Sequence, residues 1–232
     1  MATCVVTLVR HGETQANRAG IIQGQSESDL SDLGSEQAAQ AGAALAASAS
    51  TFGKVYCSDL GRTRQTLARM REAAAPTTPE QAFGGPEIVY CRDIREMALG
   101  VLEGRPRDTL PSIAAQQHRA SGAADRPMES RSDLVRRAVG FWDELQRGVL
   151  ATAAGGEVGD PGSLPGILVV SHGGFLHALF QDALGITGIE SMRNCSISRV
   201  RLDVLDGGKV RCAPQSINET AHLEGLMSDS KF

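Results

Sequence analysis

Four short apolar runs, rich in β-branched and aromatic residues, most constrain how this chain of 232 residues can fold. They read TCVVTLV at 3–9, KVYC at 54–57, EIVYCR at 87–92 and ILVV at 167–170. Runs of this length are typical of strands that helices cover on both faces, as in parallel sheets. Polar and mostly ionisable residues follow each run directly, so every predicted strand ends in side chains that can perform chemistry.

Helical patterns separate the runs. A helix is predicted over 31–48 with Ser31 as its N-cap, and another over 131–147, where Ser130 and Asp133 form a variant capping box. Its expected buried stripe consists of Leu134, Val135, Ala138, Val139, Trp142 and Leu145. The alternation predicts an α/β fold, a three-layer α/β/α sandwich with a mainly parallel sheet. Alternating polarity around 206–208 predicts a hairpin that adds an antiparallel edge strand.

The length fits one domain spanning 1–232. Residues 104–128 contain three prolines and little periodicity, and we interpret them as a partly helical excursion. The Gly-, Ala- and Pro-rich segment 148–166 is interpreted as a surface loop.

Composition excludes several classes of protein. The net charge of −4 and the small aromatic content, six Phe, two Tyr and one Trp, argue against a nucleic-acid partner. The N-terminus lacks the basic region of a secretory signal, and no apolar run reaches the roughly 18 residues of a membrane span. Five cysteines without a Cys-x-x-Cys pair indicate free thiols in a reducing compartment. We therefore expect a cytoplasmic protein with no membrane partner; the oligomeric state is not predicted.

The polar clusters at the strand ends predict the site. The carboxyl ends of parallel strands meet at one edge of a sheet, where open α/β sheets bind their ligands. The clusters are Arg10-His11, Ser58-Asp59 with Arg62, Arg95-Glu96 and Ser171-His172. Two His, two or three Arg and one Glu together predict a site for a phosphorylated, dianionic ligand.

Each residue type has a chemical reason to be there. Arg10 and Arg62 carry planar guanidinium groups that bind phosphoryl oxygens in pairs. Arg62 falls in the first turn of a helix predicted over 60–74, where side chains lean back toward the sheet edge. Gly173-Gly174 open a helix whose N–H groups favour an anion. Histidine is a nucleophile toward phosphorus, and a protonated carboxyl group can supply a proton to a leaving oxygen.

Other phosphate chemistries fit less well. The chain has no GxxxxGK[ST] loop, and no His, Asp or Glu cluster has metal-ligand spacing. Cys4 and Arg10 have the spacing that cysteine phosphatases use, but the residues between them form an apolar strand that cannot wrap around a phosphate.

The remaining candidates receive structural interpretations. His118, His177 and His222 are assigned to the surface or core, Glu13 and Glu103 to structural hydrogen bonds, and Arg131, Arg136 and Arg137 to a solvated helix face.

Six motifs carry a resemblance that extends over nearly the whole chain. They are LVRHGETQAN at 8–17, IIQGQ at 21–25, LSDLGSEQA at 30–38, SDLGRTRQT at 58–66, REMALGVLEG at 95–104 and VVSHGG at 169–174. In this order the motifs resemble the histidine phosphatase (phosphoglycerate mutase-like) superfamily. Within it they look most similar to the TIGAR-like fructose-2,6-bisphosphatases. Met128 and residues 98–100 depart from the family's pattern. The resemblance implies that these residues and the excursion over 104–128 border the opening through which substrate enters.

The resemblance implies a mechanism and a set of site residues. His11 would attack the phosphoryl group, and Glu96 would protonate the leaving alcohol and then activate water. Arg10, Arg62 and His172 would hold the phosphoryl oxygens, His172 counting among the catalytic residues. The phosphate site would also include Asn17 and Gly173, and Gln23 and Gly24 would contact substrate. No metal or organic cofactor is implied.

Three functions are compatible with these residues. The first is a phosphatase for small phosphorylated metabolites, with sugar bisphosphates favoured because Arg105, Arg107 and Arg119 follow Glu96. The second is a phosphoglycerate or bisphosphoglycerate mutase, which returns the phosphoryl group to its substrate. The third is a non-catalytic protein that binds a phosphorylated ligand.

Overall fold

The protein is described by a computed structural model over residues 2–48, 50–74, 83, 85–109, 127–155 and 162–226. Strands and helices alternate through most of the chain, as predicted, and the bounds of the strands lie within two residues of those expected. The elements are β1 (Ala2–Arg10), α1 (Gln15–Arg18), α2 (Asp32–Ala47), β2 (Phe52–Ser58), α3 (Gly61–Ala74), β3 (Glu87–Cys91), α4 (Arg131–Gly155), β4 (Gly166–Ser171), α5 (Gly173–Ala178), β5 (Ile197–Leu205) and β6 (Lys209–Glu219). Short 3₁₀ turns lie at Gly100–Leu102, Arg107–Thr109 and Ala221–Leu223, and a π-helical turn, Leu179–Ala183, follows α5.

The described strands form one six-stranded sheet in the order β3-β2-β4-β1-β5-β6. The strands β1 to β4 run parallel, whereas β5 is antiparallel to β1 and β6 is antiparallel to β5. Gly207 and Gly208 turn the β5–β6 hairpin at φ 81° and 71°, which glycine adopts without strain. The mainly parallel sheet with an antiparallel edge is therefore confirmed.

Helices cover both faces of the sheet. On one face, Leu8 and Val169 pack in a cluster with Trp142 of α4. On the other face, Val9 of β1 packs in a cluster that includes Leu45 of α2, and Met70 of α3 belongs to the same cluster. Successive strand residues thus point into opposite layers, which confirms the three-layer α/β/α arrangement. Within the described ranges, none of the helices has the length and apolar character that crossing a bilayer requires.

One boundary differs from the sequence prediction by eight residues. The helix α4 continues to Gly155, so the surface loop expected over 148–166 is wrong in its first eight residues. The reason is that Val149 keeps the spacing of the buried stripe, four residues after Leu145, and packs into the core. Residues 156–161 lie outside the described part of the chain, as do 110–126 of the predicted excursion, including His118 and Arg119.

All five cysteines are free thiols. Burial raises the pKa of the Cys4 thiol to about 12, so this group stays protonated at neutral pH. The thiol points toward the backbone oxygen of Pro165, at 3.3 Å. The Cys4–Arg10 spacing therefore does not mark a nucleophilic thiolate.

Candidate active site

The ends of β1 and β4 bring the two predicted histidines together. The backbone N–H of His11 donates to Ser171 O at 2.9 Å, which continues the pairing of the two strands. The imidazole rings of His11 and His172 lie 5.2 Å apart between centroids, and both are buried. The convergence of parallel strand ends thus produces the expected pair.

The hydrogen bonds of His11 fix which nitrogen is reactive. Its Nδ1 lies 2.7 Å from Gly12 O, and because a carbonyl only accepts, Nδ1 carries the proton and Nε2 keeps its lone pair. Burial, followed by the positive charges of Arg62 and Arg10, holds the pKa of His11 well below 6.5. The ring is therefore neutral at physiological pH, which is the state a nucleophile requires.

Two buried guanidinium groups make the site positive. Arg62 is 1% exposed, donates from Nη2 to Gly24 O at 2.7 Å, and donates from Nη1 to Ser26 O at 2.9 Å. Arg10 donates from Nη1 to Met192 O at 2.5 Å. Burial lowers the pKa of Arg10 to about 10, which leaves it charged at neutral pH. Two fixed cations beside a neutral nucleophile suit a phosphate dianion.

His172 supports one of these guanidinium groups. Its Nδ1 accepts from Arg62 Nε at 3.2 Å, and since arginine only donates, the ring proton sits on Nε2, 2.8 Å from Ser58 Oγ. Burial and the charge of Arg62 hold the pKa of His172 well below 6.5. The ring orients Arg62, and the predicted contact of His172 with phosphate stays a prediction.

Glu96 reaches the same site from the loop that follows β3. Its Oε1 accepts from the N–H of Met97 at 2.8 Å, and its Oε2 accepts from the N–H of Gly174 at 3.0 Å. The Gly174 N–H, predicted with that of Gly173 to favour an anion, thus binds the Glu96 carboxyl group, and the contact of Gly173 with phosphate stays a prediction. A Cβ atom on Gly174 would lie 2.3 Å from Glu96 Oε1, so this close approach requires glycine.

Asn17, Gln23 and Gly24 lie where the sequence places them, beside the nucleophile. A capping box at the start of α1 joins Thr14 and Asn17, with N–H to side-chain bonds of 3.0 and 3.2 Å. The Thr14 hydroxyl also donates to Gln23 Oε1 at 3.0 Å. Hydrogen bonds between residues close in sequence thus fix this polar wall of the site.

These side chains enclose a cavity of about 430 Å³. Its polar lining consists of Arg10, His11, Asn17, Gln23, Gly24, Arg62, Glu96, Arg107 and Gly174, and its apolar lining consists of Ile22, Met97, Leu99 and Leu134. Of the predicted site residues, His172 and Gly173 lie behind this wall rather than in it. Within the described residues, no three His, Cys, Asp or Glu side chains cluster closely enough to hold a metal ion.

Several polar residues of the sequence analysis have structural roles. Arg95 pairs with Asp59 through bonds of 2.6 and 2.7 Å, which ties the loop after β3 to the end of β2. Glu13 accepts from the Ser31 hydroxyl, and Glu103 Oε1 accepts from two backbone N–H groups, as expected for structural hydrogen bonding. The solvated face is confirmed for Arg131 and Arg136, which are exposed.

The assignment of Arg137 to that solvated face is wrong. Its side chain is only 18% exposed, and it donates to backbone carbonyls around Glu96. The signal was its position, three residues after Leu134 and four before Phe141, on the stripe that faces the core.

The residues at the strand ends do not include every side chain that shapes the site, and Thr66 and Asn194 were not predicted. The Gly12 N–H donates to Thr66 Oγ1 at 3.0 Å, and Thr66 follows Arg62 by four residues on one face of α3. That spacing is a usable signal. Asn194 donates to His11 O at 2.9 Å from a loop 183 residues away, and no pattern in the sequence announces this contact.

The comparisons with known proteins agree with this geometry. The profile of the histidine phosphatase superfamily (branch 1) matches residues 6–220. The chain belongs to this superfamily. The chain is 36% identical over 209 residues to the probable phosphoglycerate mutase GpmB of Citrobacter koseri, with 84% of this chain and 83% of the relative covered.

Solved structures share the fold. The phosphoglycerate mutase of Bacillus anthracis matches with a TM-score of 0.73 and 19% identity over 97% of each chain. A mycobacterial glucosyl-3-phosphoglycerate phosphatase matches with a TM-score of 0.69 and 24% identity, over 94% of this chain and all of the other. The phosphatase and the mutase therefore have the same fold as this chain.

Proposed function

We propose that this protein is a phosphatase that hydrolyses small phosphorylated metabolites through a phosphohistidine at His11. The observation that carries the proposal is the free Nε2 lone pair of a neutral imidazole beside two buried guanidinium groups. Within the same cavity, Glu96 supplies a carboxyl group for acid and base steps.

The reaction divides into two transfers. Nε2 of His11 forms a bond to phosphorus while the bond to the substrate oxygen breaks, and protonated Glu96 gives its proton to the leaving alcohol. The Glu96 carboxylate then takes a proton from water, whose oxygen attacks phosphorus as the P–N bond breaks. Arg10 and Arg62 neutralise the charge that builds on the phosphoryl oxygens in both transfers.

Sugar bisphosphates such as fructose 2,6-bisphosphate are the favoured substrates within this proposal. Arg107 lines the cavity as a third guanidinium, and its charge contributes to lowering the pKa of Arg10. Its backbone N–H donates to Gly20 O at 2.9 Å, and Ile22 N–H donates to Arg105 O at 2.9 Å. These bonds hold the backbone of Arg107 beside the cavity, where its side chain would bind a second phosphate group of the substrate. Arg105 does not line the cavity.

A mutase is the second candidate because the curated relative at 36% identity is named a probable phosphoglycerate mutase. The same His11 and Glu96 chemistry serves both functions. They differ in whether water or a bound alcohol receives the phosphoryl group from His11.

A panel of phosphate esters separates the candidates. Inorganic phosphate release and product isomers should be measured on sugar bisphosphates, phosphoglycerates and nucleotides, with His11→Asn as the inactive variant and His177→Asn as the matched histidine control. Phosphate release that His11→Asn abolishes and His177→Asn retains supports the phosphatase. Isomerisation without phosphate release would assign a mutase, and ligand binding without turnover would assign a binding protein.

A further inference from the structure

Glu96 lies in a segment without regular secondary structure, between β3 and the 3₁₀ turn at Gly100–Leu102. Such a segment has no ladder of backbone hydrogen bonds to fix it, so its carbonyl groups need other partners. A group that transfers protons must nevertheless be held to within a fraction of an ångström of its working position. Something outside the segment has to supply that rigidity.

Arg137 of α4 holds the backbone of the Glu96 segment through its guanidinium group. Its Nη1 donates to Asp93 O and Arg95 O, each at 2.7 Å, and its Nη2 donates to Glu96 O at 3.1 Å. The two remaining N–H groups donate to Glu129, Nε to Oε1 at 2.6 Å and Nη2 to Oε2 at 2.9 Å. All five guanidinium protons therefore have acceptors, and three of those acceptors are backbone oxygens of the Glu96 segment.

The partner of Arg137 holds the other side of the catalytic carboxyl. Glu129 Oε2 accepts from the N–H of Ala98 at 3.1 Å, and the Glu129 N–H donates back to Ala98 O at 2.9 Å. The guanidinium also stacks on the ring of Phe175, 5.5 Å from its centroid, on the same helix whose Gly174 N–H binds Glu96. One ion pair thus fixes the backbone before and after Glu96.

We propose that Arg137, paired with Glu129, is a positioning residue that sets the geometry of Glu96 for proton transfer. Arg137 does not line the cavity, so its effect on proton transfer is exerted through the segment that carries Glu96. Lysine cannot replace it, because a single ammonium lacks the planar fork of five donors. This inference rests on the proposed function, in which Glu96 protonates the leaving alcohol.

The test compares leaving groups. Arg137→Lys should lower kcat/KM roughly 10- to 100-fold for the alkyl phosphate that the panel shows to be turned over fastest. For p-nitrophenyl phosphate, whose leaving group departs without a proton, kcat/KM should change by less than about 3-fold. Arg136→Lys, one residue away on the exposed face, should leave both values unchanged. Glu129→Gln provides a second variant that weakens the same clamp while keeping Arg137, in case Arg137→Lys fails to fold.

The variant Glu96→Gln provides the reference, because it should show the same selective loss. If Glu96→Gln is selective but Arg137→Lys and Glu129→Gln reduce both substrates equally, the inference about Arg137 is overturned and the proposed function stands. If Glu96→Gln itself reduces both substrates equally, the acid role of Glu96 fails and the inference about Arg137 fails with it, whereas phosphate release by the wild type and its loss in His11→Asn test the proposed function separately.

Discussion

The substitution Gly174→Ala should displace the Glu96 carboxyl group, and so lower activity, without unfolding the protein. A Cβ atom at 174 would lie 2.3 Å from Glu96 Oε1, and real Cβ contacts essentially never fall below 3.0 Å, so the carboxylate must retreat by about 0.7 Å or more. The hydrogen bond from Gly174 N–H to Oε2 would lengthen with it. Misplacement of a catalytic group by about 1 Å costs on the order of 100-fold, so we expect kcat/KM for an alkyl phosphate to fall roughly 30- to 100-fold, or about 2–3 kcal/mol.

The same change should not unfold the protein. Gly174 lies in α5 with no positive φ, and alanine is favoured over glycine inside a helix by about 0.5–1 kcal/mol, which offsets the cost of moving one carboxylate. Urea unfolding should therefore give a free energy within about 1 kcal/mol of the wild type. Gly140→Ala on α4, whose Cβ would meet nothing within 4 Å, is the control and should keep full activity. Full activity of Gly174→Ala would refute the placement of Glu96 against the start of α5.

Three further predictions concern packing, protonation and substrate choice. Gly34→Ala would place a Cβ atom 1.9 Å from the backbone oxygen of Glu13, which cannot move aside, so urea unfolding should show a loss of at least about 3 kcal/mol. Because burial depresses the pKa of His11, the unfolded chain binds a proton below pH 6.5 that the folded chain does not. The free energy of unfolding should therefore fall as the pH drops from 7.5 to 5.5. Urea titrations at each pH should show that His11→Asn makes this decline shallower by about 1 kcal/mol. Arg107→Met should lower kcat/KM for fructose 2,6-bisphosphate roughly 10-fold and leave kcat/KM for p-nitrophenyl phosphate unchanged. Equal losses for both substrates would contradict the proposal that Arg107 binds a second phosphate group.

The catalytic candidates were predictable because they depend on one property of the sheet. Parallel strands end at the same edge, so residues that directly follow β1, β3 and β4 had to approach one another once the strands were recognised. His11 and His172 are such residues, Glu96 lies five residues beyond the end of β3, and Arg62 follows from the position of its helix start.

The supporting contacts depend on long-range packing that local patterns do not encode. The place of Arg137 on the core-facing stripe indicates burial, but the carbonyl groups that it binds lie more than 40 residues away in sequence and could not be predicted. The hydrogen bond from the Gly174 N–H to Glu96 joins residues 78 apart in sequence, so the sequence indicated an anion at this helix start without identifying which group it is. The end of α4 was missed because its Gly- and Ala-rich composition obscured the helical spacing of Val149.

The most direct test of the account is the identification of the phosphorylated residue. The protein should be mixed with ³²P-labelled p-nitrophenyl phosphate, whose leaving group departs without a proton, quenched within milliseconds in base, where phosphohistidine survives, and mapped by mass spectrometry. We predict label on His11 in the wild type, accumulation of that label in Glu96→Gln, and none in His11→Asn. Label on another residue, or turnover with no phosphoprotein at any time point, would contradict the assignment of His11 as the nucleophile.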